Sequence, residues 1–179
     1  VSKLLRAAGI SLAITLTTAW CIGAIQRGNS VPTSSPTQES LESSAAKFTR
    51  ILKDKDISGL AAELSRNGVY LGVDSGKFSY EEVVKSLSGK GEFYYVFFET
   101  RLFNGKRDPH RMRSLRDQLI EAKSIKVHAN IATENGKIYG TVTISAIGNP
   151  IFGTSGDAFC DVVYTHENGE WKIMNVEYL

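Results

Sequence analysis

Two Asn-Gly pairs, Asn135-Gly136 and Asn168-Gly169, each sit between runs in which apolar and polar residues alternate. A two-residue loop of this kind needs left-handed backbone at both positions. Asn and Gly supply it at least cost, so each pair predicts a tight antiparallel corner. The C-terminal third therefore reads as a meander of strands over 124–134, 137–148, 157–167 and 170–178.

Such corners also set register, and register decides which side chains share a face. Counting from Asn135-Gly136, Glu134 faces Lys137 and Thr133 faces Ile138. Ile125, Val127, Ala129, Ile131, Ile138, Val142 and Ile144 then form a core face. Lys126, His128, Asn130, Thr141, Thr143 and Ser145 form a wet one, which makes His128 a solvated strand histidine. Counting from Asn168-Gly169, Cys160, Val162 and Tyr164 share a face with Trp171, Ile173, Asn175 and Glu177. Phe159, Asp161 and Val163 share the other with Met174, Val176 and Tyr178. Both faces of this second hairpin are largely apolar, so its polar residues Asp161, Asn175 and Glu177 stand out. A carboxylate in apolar surroundings has its charged form disfavoured and moves toward a useful general base.

Upstream, Leu41, Ala45, Phe48 and Leu52 recur at helical spacing and predict a helix over 39–54. Ile57, Leu60, Ala61 and Leu64 make a shorter stripe, ended by Asn67-Gly68, and VYLGVDSGKF follows as a small strand pair. Ser79 and Glu82 have capping-box spacing ahead of a third helix over Tyr80, Val83, Val84 and Leu87, stopped at Gly89. The aromatic run Phe93–Thr100 reads as a strand. Asp108-Pro109 reads as a cap and first-turn proline for a fourth helix, with Met112, Leu115, Leu119 and Ile120 on one face.

The first residues carry Lys3 and Arg6, and no charge follows from Ala7 to Ile25. Nineteen helical residues reach about 28 Å, close to the hydrocarbon thickness of a bilayer. Residues 1–25 are expected to be a signal peptide or membrane anchor, with the remainder exported. The initial Val reads as a GTG start and suggests a bacterial source. Thr18-Ala19-Trp20-Cys21 departs from a lipoprotein box at Trp20. Residues 26–38, rich in Ser, Thr, Pro and Gly, are expected to be a flexible linker, leaving 39–179 as one domain. With a net charge of +2 and no basic stripe interleaved with aromatics, no nucleic-acid partner is expected.

His110, His128 and His166 lack the spacing of a metal site, and no phosphate- or dinucleotide-binding glycine motif occurs, so no metal and no cofactor are expected. Cys160 reads as a buried structural thiol. The segment Lys106–Arg116 holds five Lys or Arg and one His, and reads as a solvated helix face with an anion or lipid headgroup as its functional alternative.

The element order, Gly68-Val69-Tyr70-Leu71 after the second helix, and the closing Trp171-Lys172-Ile173 strand resemble the nuclear transport factor 2-like superfamily over about residues 40–179. An inserted basic helix within 100–123 departs from that pattern. The resemblance implies an α+β cone in which N-terminal helices pack on a curved antiparallel sheet around an apolar pocket. Tyr95, Tyr164, Trp171 and Asn175 are its candidate lining. The superfamily includes both enzymes and binding domains, so fold alone does not choose. The leading expectation is an exported or tethered domain binding a small apolar ligand or a protein partner. One alternative is an isomerase, lyase or dehydratase with Asp161 or Glu177 as base and Tyr95 or Tyr164 as donor. Another is an assembly module of a cell-envelope complex, with dimerisation through the sheet.

Overall fold

The computed structural model describes residues 35–72, 76–103, 105–107, 113–148 and 158–178. Contacts divide the chain into Val1–Val31 and Pro32–Leu179, and everything described belongs to the second unit. The charge-free run and most of the expected linker lie outside the described residues. Among those described, no helix is long and apolar enough to cross a membrane.

Helix α1 (Gln38–Asp54) opens on Thr37, whose hydroxyl accepts from the Ser40 amide at 3.1 Å, and closes on Lys55 in the left-handed region. Its stripe of Leu41, Ala45, Phe48 and Leu52 is fully buried. Each large side chain so placed contributes roughly 1.5–3 kcal/mol of transfer free energy. Helix α2 (Ile57–Glu63) is capped by Asp56 and buries Leu60. The expected capping box opens α3 (Tyr80–Ser88): the Ser79 hydroxyl accepts from the Glu82 amide, and Glu82 accepts from the Ser79 amide at 2.8 Å. That backbone hydrogen bond holds the Glu82 carboxyl below its ordinary value.

Phe93–Thr100 is not a strand. Residues Glu92–Phe97 form helix α4, begun at Gly91. Tyr94, Phe97 and Phe98 are buried at helical spacing, and Phe93 packs edge-on against Phe78 at 4.8 Å between ring centroids. Tertiary packing of that stripe outweighs the strand preference of aromatics, which itself reports packing on a half-buried surface. Tyr94 also finds a polar outlet, donating to Glu99 Oε2 at 2.9 Å, where Lys55 pairs at 3.0 Å. The fourth expected helix is shorter than its sequence pattern. It is α5 (Leu115–Glu121), capped by Ser114, with Leu115, Gln118 and Leu119 inward and Ile120 exposed. Asp108–Met112 lie outside the described residues.

The sheet has six strands in the order β2-β1-β8-β7-β6-β5. These are β1 (Val69–Leu71), β2 (Lys77–Phe78), β5 (Ser124–Glu134), β6 (Lys137–Ile147), β7 (Ala158–Glu167) and β8 (Glu170–Tyr178). A separate small hairpin joins β3 (Leu102–Phe103) to β4 (Lys106–Arg107). The expected all-antiparallel sheet is corrected here: β1 runs parallel to β8, through Tyr70 with Asn175 and Leu71 with Val176, so the sheet is mixed. Both Asn-Gly corners form, with φ of 50° and 74° at Asn135 and Gly136 and 52° and 88° at Asn168 and Gly169. Helix α1 packs on β5, β6 and β8. Gly140 makes that approach possible, since a Cβ there would lie 2.6 Å from Leu41 Cδ1.

The first hairpin pairs as counted, from Glu134 with Lys137 through to Ser124 with Ile147. The second does not. A bulge between Val163 and Tyr164 shifts the pairing, so that Val163 faces Asn175, Val162 faces Val176 and Asp161 faces Glu177. One extra residue on a strand moves every later side chain to the other face. Val176 is therefore fully buried with Val162, and Asn175 and Glu177 join Asp161 on the outer face.

Candidate functional site

That bulge separates the residues the sequence had placed together. Asp161 and Glu177 are opposite one another on the outer face, and Asn175 donates to Glu177 Oε1 at 2.7 Å. Tyr164 points the other way into the core, fully buried, with no hydrogen-bond partner for its hydroxyl. Burial pushes the Tyr164 phenol well above its ordinary range, and nearby Cys160 and Glu63 add to the effect. Tyr164 therefore cannot serve as donor beside either carboxylate. Tyr95, half-buried on α4, stands against the Tyr94 ring with the Arg101 guanidinium 4.6 Å from its own ring centre. Tyr164 and Trp171 are both buried on the inner face of β7 and β8, Asn175 lies on the outer face and Tyr95 on α4.

Trp171 lines a cleft. It lies on β8 beside the Asn168-Gly169 corner, where the N-terminal half of α1 and the end of α2 come together. Ser40, Ser43, Ser44, Lys47, Glu63, His166, Glu170 and Trp171 surround a space of about 220 Å³ there. The Trp171 indole donates to Ser40 Oγ at 2.9 Å, and the His166 ring stands edge-on to it at 5.2 Å. Lys47 Nζ meets Glu63 Oε1 at 2.7 Å, with the Glu63 side chain 8% exposed and that of Lys47 49% exposed. The buried carboxylate is thus matched by a cation whose head remains wet, the arrangement that lets an ion persist away from bulk water. Lys172 holds Glu170 at 2.7 Å, and that hydrogen bond keeps the Glu170 carboxyl below its ordinary value.

In the sequence His166 is one of three scattered histidines, and Lys47 and Glu63 belong to no motif. Their chain separation hides them: Glu63 closes α2 and Lys47 sits mid-way along α1. One signal was present, a glutamate in line with the apolar stripe Leu60 and Leu64 at helical spacing. A second groove of about 260 Å³ crosses the outer face near the same corner, past Tyr70, Lys77, Lys137, Tyr139 and Met174. Glu167 anchors its rim by accepting from Ser65 at 2.6 Å and from Asn67 at 3.1 Å.

Cys160 is buried, and burial pushes its thiol pKa well up, so it is not a thiolate. His128 lies exposed on the outer face. Of the basic segment, Arg113 is buried and paired with Glu121, so the expected solvated face does not extend to that residue. Arg116 donates to the Lys53 carbonyl at 3.1 Å. Among the described residues, no three His, Cys, Asp or Glu side chains converge as a metal site.

No family model and no curated protein matches the chain. Solved structures do match. One is a nuclear transport factor 2-like protein from Cytophaga hutchinsonii, 11% identical, with a TM-score of 0.44 over 81% of this chain and 100% of the other. The chain is similar to nuclear transport factor 2-like proteins. A candidate dehydratase of that family from Streptomyces avermitilis is 11% identical, with a TM-score of 0.39 over 78% of this chain and 91% of the other. A nuclear transport factor 2-like protein of unknown function from Pseudomonas putida is 8% identical, with a TM-score of 0.38 over 78% and 83%. At such identities no residue's role passes from these proteins to this chain.

Proposed function

We propose that this is a binding domain whose ligand is a small polar molecule seated between α1 and the β7–β8 corner. One observation carries the reading: the Lys47–Glu63 pair, three serines, His166 and Trp171 converge on a single cleft. A few placed polar groups beside an aromatic body are what fixes a small ligand's orientation. The apolar-pocket reading has less support, because Tyr94, Tyr164, Phe48, Phe97 and Phe98 are themselves fully or almost fully buried in the core. The carboxylate-base reading also has less support, because Asp161 and Glu177 share a face that Tyr164 does not.

Thermal-shift screening against sugars, amino acids, dicarboxylates and nucleotides tests this. A true ligand raises the melting temperature of the wild-type chain and not of the Lys47→Ala variant. Failure of every polar compound, or equal stabilisation of both proteins, refutes it. We carry export across the cytoplasmic membrane as a second element of the proposal, resting on Lys3 and Arg6 ahead of the charge-free run Ala7–Ile25. Recovery of the native chain wholly in the cytosolic fraction of a bacterial host refutes that part.

A further inference from the structure

We propose that the outer edge of β5 pairs antiparallel with β5 of a second copy of this chain, centred on Asn130. Strand β5 is last in the sheet order and runs for 11 residues, Ser124–Glu134. Among the described residues no strand pairs with its outer edge. A long unpaired edge presents a row of backbone donors and acceptors and is a template for another strand.

Which groups that row contains follows from the corner. A two-residue loop makes Glu134 and Lys137 the hydrogen-bonded pair beside it, so even-numbered residues of β5 turn their N–H and C=O toward β6. Odd-numbered ones turn outward. Ala129 fits this: its carbonyl accepts from the side-chain amide of Gln38 at 2.6 Å. Gln38 plugs one outward acceptor of the lone chain. The inward face of the strand is also incompletely covered, with Val127 44% exposed and Ile125 and Ile131 half-buried.

Charge then selects occupant and register. With the two-fold centre on Asn130, Lys126 of each copy faces Glu134 of the other, giving two opposite-charge pairs on the outer face. Outward-turned Val127 meets Thr133 of the second copy, and Ala129 meets Ile131, so the backbone groups match. Centring on Ala129 keeps the backbone match but sets Lys126 against Ala132 and loses both ion pairs. An extended segment of an unrelated protein gains nothing from this self-complementarity.

The full chain carrying Cys21→Ser provides the test, since Cys160 is buried. In the proposed register the two Asn130 residues form a non-hydrogen-bonded pair with Cα atoms about 4.5 Å apart, within disulfide reach. Under mild oxidation Asn130→Cys links into dimers at least about tenfold faster than Thr141→Cys, an exposed outer-face control one strand inward, because pairing raises the effective concentration. Adding Lys126→Glu or Glu134→Lys slows linking by about fivefold, and the two together restore it. The proposal is overturned if Asn130→Cys links no faster than the control, or if the double charge swap does not rescue. Rescue is the outcome that neither random collision nor a heterologous partner produces.

Discussion

Gly140 is the position where one methyl group should cost this fold most clearly. Its φ lies outside the left-handed region, so alanine there meets no backbone strain. Alone, that change would favour folding by about 0.4–1 kcal/mol through the unfolded chain. The native environment reverses the sign. A Cβ on Gly140 would stand 2.6 and 2.7 Å from the two methyls of Leu41 and 3.2 Å from its Cγ. Carbon atoms settle at about 3.5–4.0 Å, so roughly 1 Å must be found. Leu41 is completely buried on α1 and has nowhere to turn. Overpacking of this kind costs about 1–3 kcal/mol, leaving a net loss near 1–2 kcal/mol. For a domain of this size that is a fall of about 3–7 °C in melting temperature. Urea denaturation of wild type, Gly140→Ala, Leu41→Ala and the double variant reads it directly. Leu41→Ala alone costs about 2–5 kcal/mol by opening a cavity, and Gly140→Ala becomes neutral or stabilising in that background. An equal penalty for Gly140→Ala in both backgrounds would refute the idea that α1 rests on β6 through this pair.

Two further outcomes test the register and the polar joints. Val176→Ala should lose about 2 kcal/mol, while Glu177→Ala stays within about 0.5 kcal/mol, because the bulge puts the valine inside; a larger loss at Glu177 in urea titration would return the unshifted register. Asp117 accepts from the Thr100 hydroxyl at 2.5 Å and from its amide at 3.2 Å. Burial alone raises its pKa, but the Thr100 and Ser114 hydrogen bonds and the Arg113 charge outweigh that and leave it lowered. A lowered folded-state value means the stabilisation is complete above the ordinary aspartate value near about pH 4 and drains as pH falls through the folded one. Asp117→Asn should therefore cost about 1–2 kcal/mol at pH 7, with a gap to wild type that narrows as pH falls below the ordinary aspartate value in denaturation curves; a pH-independent gap would count against the carboxylate.

The elements that could be read ahead of the structure were those specified locally. The Asn-Gly corners, the Ser79–Glu82 box and the stripe from Leu41 to Leu52 each carry their instruction within a few residues, and each forms as written. The misreadings came where distant packing decides. Tyr94, Phe97 and Phe98 were visible at helical spacing, but their strand-favouring chemistry hid the period. Between β3 and β4 the sequence carries Asn104-Gly105, the same dipeptide as at the two large corners, and that signal passed unread amid short, charged flanks.

The bulge at Val163–Tyr164 has the largest consequence for function. Alternation from the Asn168-Gly169 corner holds through Tyr164 and Ile173, then slips by one at Met174. No Gly or Pro marks the place, so a strict period-two count runs straight past it. The slip also improves the core, because it exchanges Asn175 for Val176 opposite Val162. Burying a valine there contributes about 1.5–3 kcal/mol. The energetics that turn Asn175 and Glu177 off the Tyr164 face are therefore those that seal the interior. Polar chemistry is left to the rim, where Lys47 reaches in from water to pair with the buried Glu63 side chain.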